Sequence, residues 1–257
     1  MKIYITFLAL LLVLSIVVNI QAEEDGPDTG NNFEYHLLQG KDFHRQGNLD
    51  KAQDEYEHAI SIKPDSDEAH FLLGYVFFKK YQRSHRAATQ SYIYEQIVNS
   101  PPSQGEITDD ELQRTLETYG LQPNYEKKAI KEFKRTAELN PNHYMARYHI
   151  AVDHLNNKRY EKAIIEYKVA LRANPTHVIS HGGLGDAYHG LGKLELAIQS
   201  YKKSIDLDDQ LSMTHMDLAK VYLKIGKREK AIEILNEMEK QKHVLYESLR
   251  MVIYGQK

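Results

Sequence analysis

The sequence predicts an all-α fold built from stacked pairs of helices. Alanines recur every 34 residues, at Ala129, Ala163, Ala197 and Ala231, and a fixed period of this length is typical of repeat architectures. The chain has only 14 Gly and 7 Pro in 257 residues, and it has no runs that alternate apolar and polar side chains. It therefore lacks the usual marks of a β-fold. With 42% hydrophobic and 27% charged residues, its composition is that of an ordinary folded protein.

Further columns follow the same period. The alanine column extends upstream to Ala88 and Ala52, with wider gaps on either side of Ala88. A large side chain stands four residues after each alanine, at Tyr56, Tyr92, Phe133, Tyr167, Tyr201 and Leu235. Small residues share a column in the preceding helix, at Gly40, Gly74, Ala151, Gly185 and Ala219. A second glycine column, at the predicted turn, holds Gly47, Gly192 and Gly226. Small residues let two helices approach closely, and glycine suits a tight turn.

These columns resemble the tetratricopeptide repeat family, in which each unit consists of two antiparallel helices in about 34 residues. The resemblance covers residues 33–245 and implies a right-handed superhelical solenoid of about six helix-turn-helix units. The units are predicted over residues 33–66, 67–102, 103–143, 144–177, 178–211 and 212–245. Because the ends of a solenoid need covering, we expect a C-terminal capping helix within the tail 246–257.

The stretch 67–143 is irregular. The second unit carries Tyr81 to His85 where other units have a turn glycine. The third unit has Leu116 in the small-residue column of its first helix, which is predicted over 108–119. We favour six units, and the alternative is that 81–123 is one insertion inside a single unit. Both interpretations leave 99–107 as an exposed loop.

The N-terminus has the layout of a secretory signal peptide. Lys2 precedes an apolar stretch from Ile3 to Val18, and Ala22 offers a small residue for cleavage. The apolar stretch is shorter than the roughly 20 residues that span a bilayer. We therefore expect export, to the periplasm or as a secreted protein, with cleavage after Ala22. An uncleaved signal anchor is the alternative. Residues 23–32 are interpreted as an acidic, Gly-containing linker.

The composition argues against several kinds of chemistry. Without Cys, the chain has no disulfide, no thiolate zinc site and no cysteine nucleophile. The balance of 33 basic and 36 acidic residues gives no positive field for nucleic acid. The Gly-rich stretch 182–193 lacks the spacing of a phosphate-binding P-loop. Four histidines share one repeat column, which favours packing over metal binding: His36, His70, His181 and His215. We expect no catalytic residue, no metal and no cofactor, and therefore no enzyme.

The resemblance implies that the first helix of each unit lines a concave groove in which ligands bind. Several of these inner positions are apolar or aromatic, which favours an extended or helical peptide as the ligand. The candidate partner-binding residues are Phe71, Tyr75, Phe78, Tyr148, Val152, Leu155, Asp186, His189, Met216 and Lys220. The alternative is self-burial, in which a helix over 84–98, the irregular third unit or the C-terminal helix covers this surface. The C-terminal helix competes most directly for Met213 and Met216.

The sequence therefore predicts a non-enzymatic scaffold or adaptor that binds a protein or peptide, in bacterial envelope assembly or secretion. It predicts no nucleic-acid partner and no membrane contact beyond an N-terminal signal anchor. Two alternatives stay open. One is an accessory module of an envelope or glycan-processing enzyme complex, and the other is a self-assembling homo-oligomer. The accessory module requires polar groups that converge in one pocket, and the sequence gives no sign of them.

Overall fold

The structure is a computed structural model that describes residues 32–99 and 124–255. The chain divides into two compact units, Met1–Gln122 and Pro123–Lys257, and each is considered by itself. The predicted signal peptide and nearly all of the linker lie outside the described residues, as do the helix predicted over 108–119 and the loop over 99–107 apart from Asn99. All regular elements in the described parts of the chain are α-helices, so the predicted all-α class is confirmed.

The first unit contains α1 (Phe33–Arg45), α2 (Leu49–Ile62) and α3 (Asp67–Asn99). Asparagine side chains cap the first two helices, because Asn32 accepts from the backbone N–H of Tyr35 and Asn48 from that of Lys51. Helix α2 packs against both α1 and α3. Its buried face includes the column residues Ala52 and Tyr56, together with Ala59.

Helix α3 differs from the predicted pair of helices in the second unit of the repeat. It runs without interruption from Asp67 to Asn99, so that Tyr81 to His85 are helical where a turn was expected. Tyr81 occupies the column in which other repeats have a turn glycine, and no proline lies between Asp67 and Asn99 to end the helix. Because residues 100–123 lie outside the described parts, both interpretations of 81–123 stay open.

The second unit contains eight helices within its described residues. Their bounds are α4 (Tyr125–Leu139), α5 (Tyr144–Asn156), α6 (Tyr160–Ala173), α7 (Val178–Gly190), α8 (Leu194–Leu207), α9 (Ser212–Lys224), α10 (Arg228–Lys240) and α11 (Tyr246–Tyr254). Six of them form three consecutive hairpins, α5 with α6, α7 with α8 and α9 with α10, and each hairpin packs against the next through α6 with α7 and α8 with α9. Helix α4 packs against α5 at one end, and α11 packs against α10 at the other. One hydrophobic cluster extends through this unit from Ala151 to Ile253.

The three-residue turns within the hairpins share one hydrogen-bonding pattern. At the end of α7, the N–H of Gly192 donates to the carbonyl of His189 and that of Lys193 to the carbonyl of Tyr188, both at 2.9 Å. This is a Schellman motif, in which one residue adopts a left-handed conformation. Gly47, Gly192 and Gly226 hold that position with φ between 71° and 77°. At the same column Lys158 adopts φ 55°, although the conformation is unfavourable for a residue with a Cβ.

The small-residue column explains how closely the two helices of a hairpin approach. A Cβ on Gly185 would lie 2.6 Å from the ring of Tyr201, and a Cβ on Gly40 would lie 2.4 Å from the ring of Tyr56. Both tyrosines are fully buried, at 1% and 0% exposure. The predicted role of this column in helix approach is therefore confirmed in both units.

Helix α11 closes the C-terminal end of the second unit, as predicted for a capping helix. Leu249 and Ile253 are buried against α10 and α9, and Arg228 of α10 donates a hydrogen bond to the carbonyl of Ile253. Across residues 32–99 and 124–255, no helix combines the length and the apolar character that crossing a bilayer requires.

Candidate functional site

The histidines of the repeat column have structural contacts. The Nε2 atom of His70 lies 3.1 Å from the carbonyl oxygen of Pro64, and Nε2 of His181 lies 3.0 Å from that of Pro175. These contacts tie the start of one repeat to the end of the repeat before it, in agreement with the predicted packing role. Within the described parts of the chain, no three His, Cys, Asp or Glu side chains are grouped so that they could hold a metal ion.

In the first unit, the predicted binding residues of α3 form an aromatic stripe. The ring centroids of Phe71 and Tyr75 are 6.3 Å apart, and those of Tyr75 and Phe78 are 6.2 Å apart. His44 of α1 lies 5.5 Å from the ring of Tyr75, and Lys79 Nζ lies 5.2 Å from the same ring centroid. All three aromatic side chains are half-buried. The stripe is therefore part of the packing of its own unit as well as part of its surface.

In the second unit, the predicted apolar anchors lie at the edge of the core. Tyr148, Val152 and Leu155 of α5 and Met216 of α9 are half-buried and pack against the hydrophobic cluster. The Tyr148 ring lies 6.3 Å from the Tyr167 ring, and burial raises the pKa of the Tyr148 hydroxyl. Each side chain thus offers only part of its surface to a partner.

The competing expectation that the C-terminal helix covers the α9 methionines does not hold for Met213. Helix α11 contacts α10 and α9, but Met213 remains 58% exposed. Ile179, at the matching position of α7, is 55% exposed. On α7 and α9 the exposed apolar side chains of this face are therefore at the beginning of the helix rather than at its middle.

A polar depression of about 650 Å³ lies on the same unit. Its wall is formed by the first helices of three successive hairpins, α5, α7 and α9, together with Lys158 of the turn after α5, Tyr160 of α6 and Tyr201 of α8. The lining side chains that matter here are Leu155, Asn156, Asp186, His189, Tyr201, Asp217 and Lys224. Of the candidate residues, Leu155, Asp186 and His189 are thus brought together, whereas Lys220 lies beside the depression and pairs with Asp217 at 3.1 Å.

Asp186 is the polar centre of this depression. The hydroxyl of Tyr201 donates a hydrogen bond of 2.7 Å to Asp186 Oδ1. Burial raises the pKa of Asp186, and the nearby Asp217 adds to this rise, whereas the Tyr201 hydrogen bond acts in the opposite direction. Burial also raises the pKa of Tyr201, so its hydroxyl stays protonated and continues to donate. The carboxylate is therefore held in place by the second helix of its own hairpin.

Some of the residues that line this depression were not identified from the sequence. No convergent polar groups were apparent in the sequence, whereas in the structure Asp186, His189, Asp217 and Lys224 line one depression of the second unit. Asp186 and Asp217 do not share a repeat column, since they are 31 rather than 34 residues apart. They line the same depression because successive repeats stack on one another, which a comparison within columns does not detect. Tyr201 was assigned only to the core.

The chain belongs to the tetratricopeptide repeat family. Models described as TPR repeat match residues 40–80 and 185–226, and a model described as tetratricopeptide repeat matches residues 127–178. Arrays of such helix pairs present extended surfaces that bind other polypeptides, and this chain is a scaffold of that kind.

Solved structures of MamA proteins share the fold. The structure titled MamA 41-end from Desulfovibrio magneticus RS-1 is 18% identical, covers 83% of this chain and 97% of its own, and gives a TM-score of 0.58. A second, titled crystal structure of MamA protein, is 17% identical, covers 88% of this chain and 96% of its own, and gives a TM-score of 0.56. At these identities the likeness concerns the fold. No curated protein matches the chain significantly.

Proposed function

We propose that this protein is an exported, non-enzymatic adaptor whose second unit binds a peptide segment of another protein. The observation that carries the proposal is the depression lined by α5, α7 and α9, in which Leu155 lies beside Asp186, His189, Asp217 and Lys224. Protein interfaces combine an apolar core with a polar rim that carries hydrogen bonds. The volume of about 650 Å³ accommodates a short peptide segment.

The chemistry of the depression suggests how such a peptide is oriented. An apolar side chain of the peptide packs against Leu155, while the charged groups of α7 and α9 select the polar groups that flank it. Because Asp217 is paired with Lys220 and Asp186 with Tyr201, these acceptors are pre-organised and lose little freedom on binding. Exposed Ile179 and Met213 extend the apolar contact along the same first helices.

Peptide selection tests this site. A random peptide library displayed on phage is selected against the full chain, and the affinity of a selected peptide is then measured by calorimetry. We expect His189→Ala combined with Lys224→Ala to weaken binding at least about tenfold. The matched control is Glu161→Ala with Lys162→Ala, two exposed positions on α6, and it should leave the affinity unchanged. Equal affinities for both variants would refute the site.

The export proposal rests on the sequence of residues 1–22 and has a separate test. The envelope and secreted fractions of the native cell are separated, and the N-terminus of the protein is determined by mass spectrometry. We expect the mature chain to begin at Glu23. An intact Met1 in a membrane fraction would indicate an uncleaved signal anchor. An intact chain in the cytosol would contradict export. A function in envelope assembly or secretion would then be tested through the proteins that co-purify from that fraction.

A further inference from the structure

A second depression, on the first unit, has a different charge. It has a volume of about 620 Å³ and lies between the turn that joins α1 to α2 and the middle of α3. Its described lining contains no Asp or Glu, but it contains cationic and histidine side chains and two aliphatic or small residues from the turn. They are His44, Gly47, Leu49, Lys79, Tyr81, Gln82, Arg83, His85 and Arg86.

The unbroken helix α3 creates this depression. In a regular repeat the chain turns at the column of Tyr81. Here the helix continues, so that the residues after Tyr81 lie alongside the hairpin of α1 and α2. Lys79, Arg83 and Arg86 are spaced i, i+4 and i+7, which places them on one face of α3. The three cations extend over about 10 Å of helix. The sequence from Tyr81 to His85, which looked like a degenerate turn, is therefore one wall of a basic surface.

The arginines that line this depression differ from nearby lysines, because the lysines form salt bridges with carboxylates and the arginines do not within the described residues. Lys80 forms a salt bridge of 2.6 Å with Asp50, and Lys41 forms one of 2.7 Å with Glu68. Among the residues that the structure describes, no carboxylate pairs with Arg83 or Arg86, both of which are exposed. Like charges held close together without counter-charges repel one another, so an anionic ligand would be stabilised here.

We propose that the basic depression of the first unit binds an acidic peptide segment of a partner protein, with Lys79, Arg83 and Arg86 contacting successive carboxylates. In an extended peptide, every second side chain lies on the same side at intervals of about 6.6 Å. Residues i and i+4 of a helix are separated by about 6 Å along its axis. Asp or Glu at alternate positions therefore matches the spacing of Lys79 and Arg83, whereas Arg83 and Arg86 are only about 4.5 Å apart along the axis. The long arginine side chains span this difference.

The shape favours a peptide over other polyanions. A membrane surface is flat and would meet protruding cations, whereas these cations line a concave surface next to a turn. A nucleic acid would need a longer positive track, since its phosphates continue well beyond 10 Å. The proposal does not depend on the function assigned to the second unit, because the two depressions have no residue in common.

Fluorescence anisotropy tests this proposal with the full chain. The probe is a labelled, terminally blocked hexapeptide of alternating Glu and Ser, and the reference peptide has Gln in place of Glu. We expect saturable binding of the Glu peptide that weakens at high salt, because charge-assisted contacts are screened. The double variant Arg83→Gln and Arg86→Gln should lower the affinity at least about tenfold. The control Arg135→Gln with Arg172→Gln removes two exposed cations of the second unit and should leave the affinity unchanged.

Several results would overturn the proposal. They are equal affinities of the two double variants, equal binding of the Gln peptide, and an absence of binding by the Glu peptide. Recruitment to phosphatidylglycerol vesicles that depends on Arg83 and Arg86, without peptide binding, would assign the surface to a membrane instead. Circular dichroism of each variant checks that the helices are retained, and the exposure of both arginines makes a folding defect easy to separate from a binding defect.

Discussion

The first unit and the second unit pack their helices in the same way, but they differ at one turn. In the second unit, α5 and α6 are joined by three residues, 157–159, and α7 and α8 by three residues, 191–193. In the first unit, α1 and α2 have the same short turn, whereas α3 continues through the equivalent column at Tyr81. Both units therefore have the same kind of interior contacts. The presence or absence of a turn at this column decides which residues form the surface of each unit.

The shared interior is tested by adding one methyl group. We expect Gly185→Ala and Gly40→Ala each to lower the free energy of unfolding by about 1–3 kcal/mol, because the new Cβ would overlap a buried tyrosine ring. The matched control is Gly182→Ala, where the Cβ would lie at an ordinary 3.6 Å from Ser204 Oγ. It should be neutral or stabilising by about 0.5–1 kcal/mol, because alanine favours helix. Urea unfolding followed by circular dichroism measures all three, and equal effects would contradict the packing.

In the turn column, we expect two substitutions to change the stability in opposite directions. Gly226→Ala should destabilise by about 1–2 kcal/mol, since alanine is forced to φ near 76°. Lys158→Gly should stabilise by up to about 1 kcal/mol, because it relieves the same strain where φ is 55°. Thermal and urea unfolding of the two variants measure the changes. A loss of stability in Lys158→Gly would show that the Lys158 side chain contributes more than its backbone strain costs.

The two column tyrosines should respond differently to loss of the hydroxyl. The Tyr201 hydroxyl donates to Asp186 at 2.7 Å, whereas the buried Tyr56 hydroxyl has no hydrogen-bond partner in the described part of the chain. We expect Tyr201→Phe to cost about 1 kcal/mol and Tyr56→Phe to cost nothing or to stabilise. Parallel urea titrations give both values. If Tyr56→Phe is the more harmful of the two, the contrast between the units is mistaken.

The smallest predicted effect concerns pH and the C-terminal cap. Burial lowers the pKa of His215 and the neighbouring His243 adds to this, while Asp209, Glu237 and the Leu211 carbonyl act in the opposite direction. Below about pH 6.5 the unfolded chain therefore takes up the proton that the folded chain resists. Stability should fall as the pH falls from that value toward the folded pKa.

His215→Gln isolates this contribution. The variant should show a shallower dependence of unfolding free energy on pH below about pH 6.5, measured by urea titration at successive pH values. His44, which burial and Lys79 also depress in pKa, remains in both proteins and supplies a residual slope. An unchanged slope in the variant would mean that His215 does not resist protonation in the folded state.

The sequence anticipated the repeat core better than the binding surfaces. The column of Gly185 predicted that the two helices of a hairpin approach closely, because a core position recurs in every unit and therefore leaves a periodic trace. That Tyr201 is the side chain packed on Gly185 was seen only in the structure. The depression around Asp186 and Asp217 left no such trace, since it occurs once and joins residues that hold different positions in their repeats. In the sequence, the continuation of α3 through Tyr81 appeared only as the absence of the turn glycine. That absence does not show whether the chain turns there in another way or continues as a helix.

The sequence by itself determined the helical class, the family and the positions at which helices approach closely, because each rests on side-chain sizes that recur with the repeat. The tertiary structure alone decided that Lys79, Arg83 and Arg86 face a depression, and that Asp186 is held by Tyr201 beside Asp217. Those relationships depend on how neighbouring helices lie against each other. Such distances are set by the packed core and are not encoded in the spacing of residues along the chain.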